Sequence, residues 1–110
     1  DNVVPPGPVG NYVNAIEKFR DPSHAQCWSL EDWVKSFAQA GFSLRHRETL
    51  AKRLDFQFWA QRHDQIMQSY LRALLLEAGL PATAFLQPRT DDGYLSFRLV
   101  EGILIGQKET

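Results

Sequence analysis

Apolar residues fall at Val9, Tyr12, Val13, Ile16 and Phe19, the i, i+3, i+4 spacing of one helix face. Asn11 is placed to cap its start, and Pro22 biases Asp21 away from helical geometry, so the helix stops near Arg20. A polar linker, Arg20-Asp21-Pro22-Ser23-His24, follows. Ser29 with Asp32 three residues on is a capping-box pattern, and Trp28 and Trp33 are spaced as a hydrophobic staple. Leu30, Trp33, Val34, Phe37 and Ala38 then give a second helix its buried face, and Gly41 stops it.

Phe42 to Leu50 opens with alternation and reads as a strand with Phe42 and Leu44 inward. Asp55 can cap a helical stretch carrying Phe56, Trp59, Ile66, Met67, Tyr70, Leu71, Leu74 and Leu75. The apolar phase slips near His63-Asp64, which predicts a break there, and the stretch ends at Gly79 before Pro81. Residues 81–89 fit neither period. Asp91-Asp92-Gly93 is a turn. Tyr94 to Gln107 is a strand, and Glu101-Gly102 interrupts its alternation in the manner of a bulge.

The order is loop, helix, helix, strand, one or two helices, strand. Two strands make a poor sheet alone, so their apolar sides call for other strands. The opening Asp1-Asn2-Val3-Val4-Pro5-Pro6-Gly7-Pro8 has loop chemistry, because its prolines oppose a continued strand or helix. Beginning in mid-loop without Met, the chain reads as one piece of a larger protein, with sequence expected before Asp1.

At 110 residues the chain forms one domain or a subdomain. A formal charge of -1 provides no broad field for nucleic acid or an anionic membrane, and no apolar run approaches the ~20 residues of a membrane span. No secretory leader pattern opens the sequence, so a cytoplasmic location is the default expectation. Cys27 is the only cysteine, which excludes an internal disulfide and a cysteine-pair zinc site. His24, His46 and His63 share no ligand spacing, so no metal is expected, and His46 and His63 read as surface residues. Arg45, Arg47, Lys52 and Arg53 have no interleaved aromatics and read as the solvated face of a strand.

Arg20-Asp21-Pro22-Ser23-His24, then Ser29-Leu30-Glu31-Asp32-Trp33, Ala40-Gly41-Phe42, Asp55-Phe56 with Trp59, and Gly102 to Lys108 together resemble the C-terminal part of methyltransferases of the ubiquinone/menaquinone (UbiE-like) type. The resemblance spans nearly the whole chain, and the Arg-Asp-Pro-Ser-His string is its most specific element. It implies an α+β piece, helices plus two C-terminal antiparallel strands, from the C-terminal portion of a Rossmann-like seven-stranded α/β fold. In that scheme Asp1 follows the fifth strand, Phe42 to Leu50 is the sixth, and Tyr94 to Gln107 is an antiparallel seventh. The implied activity of the parent is transfer of a methyl group from S-adenosylmethionine to a small organic acceptor.

The cofactor half of such a fold has no counterpart here. None of the seven glycines forms a Gly-x-Gly-x-x-Gly turn, so no cofactor-binding residue is assigned, and residues 1–110 alone are expected to be inactive. Asp1 and Asn2 are expected at the mouth of the acceptor site, Arg20 as a substrate-orienting group, and His24 as general base or acceptor ligand. Set against this are bland readings: His24 braces the next helix, Arg20 pairs with Asp21, and Asp1 and Asn2 fray. A rival class is a stand-alone α+β interaction module that dimerises through strand edges, and orphan strands here are expected to pair or swap with a second copy.

Overall fold

The structure is a computed structural model that describes residues 1–109. A short strand β1 (Asn2–Val3) leads into helix α1 (Pro8–Arg20), and α2 (Leu30–Gln39) precedes the long strand β2 (Phe42–Asp55). Three helices follow: α3 (Phe56–Trp59), α4 (Gln65–Leu76) and α5 (Ala82–Leu86). A hairpin of β3 (Arg89–Asp91) and β4 (Tyr94–Lys108) closes the chain.

The expected antiparallel pair is present as β2 and β4, and it belongs to a four-stranded sheet. β4 lies between β1 and β2 and runs antiparallel to both, so β1 and β2 point the same way. β3 pairs with the first residues of β4 through Asp92-Gly93, both at positive φ as a tight two-residue hairpin loop requires.

Several local expectations meet their geometry. The Ser29 side chain accepts from the Asp32 amide at 3.2 Å, and the Trp28 and Trp33 rings stand 4.9 Å apart. Asp55 caps α3, and Asp64 caps α4 by accepting from the Met67 amide at 2.9 Å, which marks the break. Others differ for identifiable reasons. α1 starts at Pro8 with Gly7 at the cap, since Pro is preorganised for the first helical position; Asn11 therefore lies inside the helix. α4 stops at Leu76, ahead of Gly79. β2 runs to Asp55 because β4 pairs with it as far as Ser96.

The ladder passes Glu101-Gly102 without a bulge; the irregularity lies on β2 between Leu44 and His46, across from Gly106 and Ile105. Gly102 serves close approach instead. A Cβ there would lie 2.7 Å from Val3 Cγ1, while the Gly102 amide donates to the Asp1 carbonyl at 2.7 Å. Gly106 likewise makes room for the Phe37 ring, which seats α2 on the sheet.

On the opposite side of β4, Leu95, Phe97 and Leu99 are buried with Val13 and Ile16 of α1, Phe56 and Trp59 of α3, Leu71 and Leu75 of α4, and Leu86 of α5. This cluster gathers at the start of β4, which is the carboxyl end of the parallel pair β1 and β2. The molecule is elongated, 53 × 26 × 24 Å, and β2 leaves a long exposed stretch at the sheet edge. No helix among the described residues is long and apolar enough to cross a membrane.

α1 and α4 are bolted by the Tyr12 hydroxyl, which donates to the Leu74 carbonyl at 2.6 Å. Burial first, and the Glu77 carboxylate second, hold the phenol above its ordinary 10.0. A raised value means the folded state holds the proton more tightly than the unfolded chain. The stability is thus full below pH 10 and lost as the pH climbs through the folded value. Tyr12→Phe is expected to cost about 1 kcal/mol at neutral pH. In urea melts that difference should shrink above pH 10; an unchanged gap would mean the phenol is not buried against α4 as described.

Candidate functional site

In open α/β sheets ligands bind beyond the carboxyl ends of the parallel strands. Here that place is reached at Val4, where the chain leaves β1 into Pro5-Pro6-Gly7. The Val4 amide donates to the Trp28 carbonyl at 3.2 Å, and Val3 forms a parallel bridge with Trp28. The returning segment 26–29 is thereby drawn alongside the strand end. Between them lies a cleft of about 80 Å³ walled by the Pro5–Gly7 loop, Asn11 and Asn14 of α1, Gln26, Cys27 and Ser29, with Asp32 at the start of α2. Asn11, Asn14, Gln26, Ser29 and Asp32 give it polar side chains.

Asn14 organises this cleft. Its Oδ1 accepts from the Cys27 amide at 2.7 Å, and its Nδ2 donates to the Cys27 carbonyl at 3.1 Å, so one side chain satisfies both backbone groups of a loop residue. Oδ1 also faces His24 Nε2 at 3.1 Å, and an amide oxygen can only accept, so Nε2 carries the hydrogen in this contact. Lys18 donates to the His24 carbonyl at 3.0 Å. Asp21 accepts from the Ser23 hydroxyl at 2.6 Å and its amide at 3.0 Å, and these bonds hold its carboxyl below the usual range.

His24 is therefore a half-buried residue held by α1 beside the cleft. Arg20 goes elsewhere. Its Nε donates to the Trp59 carbonyl at 2.9 Å, its guanidinium lies 5.2 Å from the Trp59 ring centre, and its own carbonyl receives His63 Nε2 at 2.5 Å. Those contacts clamp α1 to α3. Asp21 approaches Arg62 at 3.9 Å, so the expected Arg20–Asp21 pair gives way to one with α3's C-terminal flank. Asp1 and Asn2 do not lie past the strand end. Asp1 exchanges backbone hydrogen bonds with Gly102, and Asn2 pairs with Glu101 in the ladder, which places both upstream of the mouth.

Of the other residues weighed from sequence, His46 is exposed beside Glu48 at 3.2 Å, whereas His63 is half-buried and structural. Trp59 is core; Trp28 on the loop is 40% exposed. Arg53 is engaged with Ser96 Oγ and the Gln87 carbonyl, both at 3.0 Å, and Lys52 reaches Glu101 at 3.7 Å.

Sequence reasoning missed Asn14, Glu17 and Cys27 as partners of His24. Donor atoms of Glu17, His24 and Cys27 all lie within 4.8 Å of one another, and Cys27 Sγ is 3.9 Å from His24 Nε2. Histidine spacing points away from a metal, yet it does not count a carboxylate and a thiol that the fold adds to one histidine. The available signals were Asn14 and Glu17 on one helix face and the short His24-Ala25-Gln26-Cys27 step. Burial, followed by the Glu17 carboxylate, pushes the Cys27 thiol up from its ordinary 9.0.

Gly7, Gly41, Gly79 and Gly93 serve positive-φ turns, and Gly10, Gly102 and Gly106 are filled against Pro5, Val3 and Phe37.

The sheet, with an antiparallel strand between two parallel ones and a polar cleft at their carboxyl end, makes an α+β fold that resembles solved structures of the methyltransferase type. Over its whole length the chain matches a proposed methyltransferase (BH2331) of Bacillus halodurans C-125, with 26% identity and a TM-score of 0.89, covering 54% of that chain. It also matches the YcgJ protein of Bacillus subtilis over its whole length at 23% identity and a TM-score of 0.84, covering 50% of that chain; there the likeness is one of fold. The chain thus spans about half the length of the solved structures it matches. No protein-family profile matches the chain, and no curated protein does.

Proposed function

We propose that the protein to which this chain belongs transfers a methyl group from S-adenosylmethionine to a small organic acceptor, as a UbiE-like methyltransferase, and that this chain supplies the acceptor-side wall. The observation that carries the reading is the sheet order β1-β4-β2 together with α3, α4 and α5 massed at the carboxyl end of β1 and β2. A match along the whole chain to half of a proposed methyltransferase supports it.

Transfer to a nucleophile depends first on alignment. The Pro5–Gly7 loop and α1 offer a wall for that, and Asn11, Asn14 and Gln26 offer hydrogen bonds that would orient a polar acceptor. Where the acceptor is a hydroxyl or an acidic C–H, a base must take its proton. His24 is the candidate, acting through Nδ1, since Nε2 is directed at Asn14. Arg20 braces α3 and is given no part in binding.

The test is turnover to S-adenosylhomocysteine by the protein from the complete reading frame, against alcohols, phenols, thiols and acidic-carbon acceptors. His24→Ala is expected to lower kcat about 10²–10⁴-fold, the usual contribution of a positioned base. Full activity in that variant would remove His24 from the reaction. A second reading, an interaction module, is favoured by the exposed edge of β2 and the exposed Leu50 and Ile105 beside it. Absence of turnover with every acceptor, together with a dimer dispersed by charge substitution at Leu50, would support that reading instead.

A further inference from the structure

We propose that Glu17, His24 and Cys27 form a three-donor site for a borderline-soft divalent cation of the zinc type, with a fourth position turned toward solvent or ligand. The inference rests on this chain's own side chains and not on the methyl-transfer reading, and an occupied site would exclude the general-base role given there to His24.

The donor set is suited to such an ion. Thiolate, imidazole and carboxylate bind Zn²⁺ at about 2.0–2.3 Å, which puts tetrahedral donors about 3.3–3.7 Å apart. Cys27 Sγ and His24 Nε2 already stand at 3.9 Å, and all three donors fall within 4.8 Å. Closing the set requires a side-chain adjustment of about 1 Å on that scale. No backbone has to move: Glu17 comes from the rigid body of α1, while Asn14, one turn earlier on the same face, pins Cys27 through both of its backbone groups.

The unliganded chemistry of the cluster also wants a cation. Glu17 is buried to 9% exposure and takes part in no ion pair among the described residues. A carboxylate so placed beside a buried thiol leaves two donors side by side that a divalent cation can bridge. His24 does not pair with the carboxylate, because its Nε2–H is directed at Asn14. An ion would bind both Glu17 and Cys27 and collect the imidazole as third ligand.

Coordination is proton-balanced in a simple way. The Cys27 thiol releases one proton to solvent, and the neutral His24 ring moves its hydrogen from Nε2 to Nδ1, freeing the Nε2 lone pair. Asn14 Oδ1 then keeps its bond from the Cys27 amide and acts as a positioning group behind the site. With the ion in place His24 would donate from Nδ1 and could orient an acceptor, but it could not take a proton.

The test is titration of the protein with Co²⁺, then Zn²⁺. We expect one Co²⁺ per chain with an intense near-ultraviolet thiolate-to-cobalt band, displaced by Zn²⁺. Glu17→Gln keeps the shape of the site and should weaken Zn²⁺ binding at least tenfold, as should His24→Ala; Cys27→Ser should abolish the band; His46→Ala, on the exposed strand, should change nothing. Circular dichroism melts establish that each variant is folded. Should Cys27→Ser not fold, the cobalt band of the unaltered protein and the affinity of Glu17→Gln decide alone. Cobalt bound without a thiolate band, or Zn²⁺ affinity within twofold of the unaltered protein in Glu17→Gln, would overturn the site.

Discussion

Phe97→Ala is expected to lower the stability of the protein by about 3–5 kcal/mol, the cost of deleting a buried aromatic ring from a packed core. Phe97 is fully buried on β4, and Trp59 meets it edge-on with ring centroids 4.9 Å apart. Trp59 in turn stacks at a tilt on Phe56 at 6.1 Å and carries the Arg20 guanidinium on its other contacts. Deleting Phe97 therefore removes the apolar area of one ring and also the surface against which α3 is placed. Domains of this size are stable by only about 5–15 kcal/mol, so the loss is a large share of the whole. Urea melts of the variant beside Tyr94→Ala, which truncates an exposed aromatic on the same strand, make the comparison internal. A Phe97 effect no larger than that of Tyr94 would mean that the helices do not pack on the start of β4.

That core is also why the sheet was only half legible in the sequence. The alternation of Leu95, Phe97 and Leu99 could be read directly, because one face of β4 is buried over those residues and period 2 is then enforced. Ser29 and Asp55 could be read as helix starts because capping is a local bond between neighbours in sequence, while the start of α4 at Asp64 showed only as a slip in the apolar phase. β1 and β3 could not. Asn2 and Val3 become a strand only because Gly102 lets them lie against β4, and Arg89 to Asp91 pair only as the first arm of a two-residue hairpin. The same cause misled the reading of Gly102: a glycine inside a strand marks either a bulge or a close approach, and the partner that decides between them is about a hundred residues away.

The candidate site shows the same division. His24 stood out as a histidine in a polar linker, but its neighbours come from α1, and no spacing rule joins Asn14 or Glu17 to a loop that folds back over them. Arg20 looked like a substrate ligand because it is a cation in that linker. Its position at the last turn of α1 turns it toward Trp59, where a planar guanidinium can both donate to a carbonyl and lie against an indole. The linker that the motif strings marked lies beside the cleft, and which side chains face the cleft is decided by the packing of α1.

Gly10→Ala is expected to destabilise the protein by about 1–3 kcal/mol, although alanine is the better helix former by about 1 kcal/mol. The sign is set by space. Gly10 is buried in the first turns of α1, and an added Cβ would collide with the Pro5 carbonyl oxygen and press on Val4 Cγ2 at 3.1 Å. The first obstacle is backbone, so no rotamer change relieves it, and the Pro5–Gly7 loop has to move off the helix. That loop is one wall of the polar cleft. On the methyl-transfer reading proposed above, the variant should lose more than stability: in the full-length protein the KM for the acceptor should rise with kcat less affected, as expected when a binding wall shifts and the reacting groups do not. Thermal melts and steady-state kinetics check the two halves separately. A variant as stable as the parent would mean that the loop does not lie against α1; a destabilised variant with unchanged KM would place the acceptor away from this cleft.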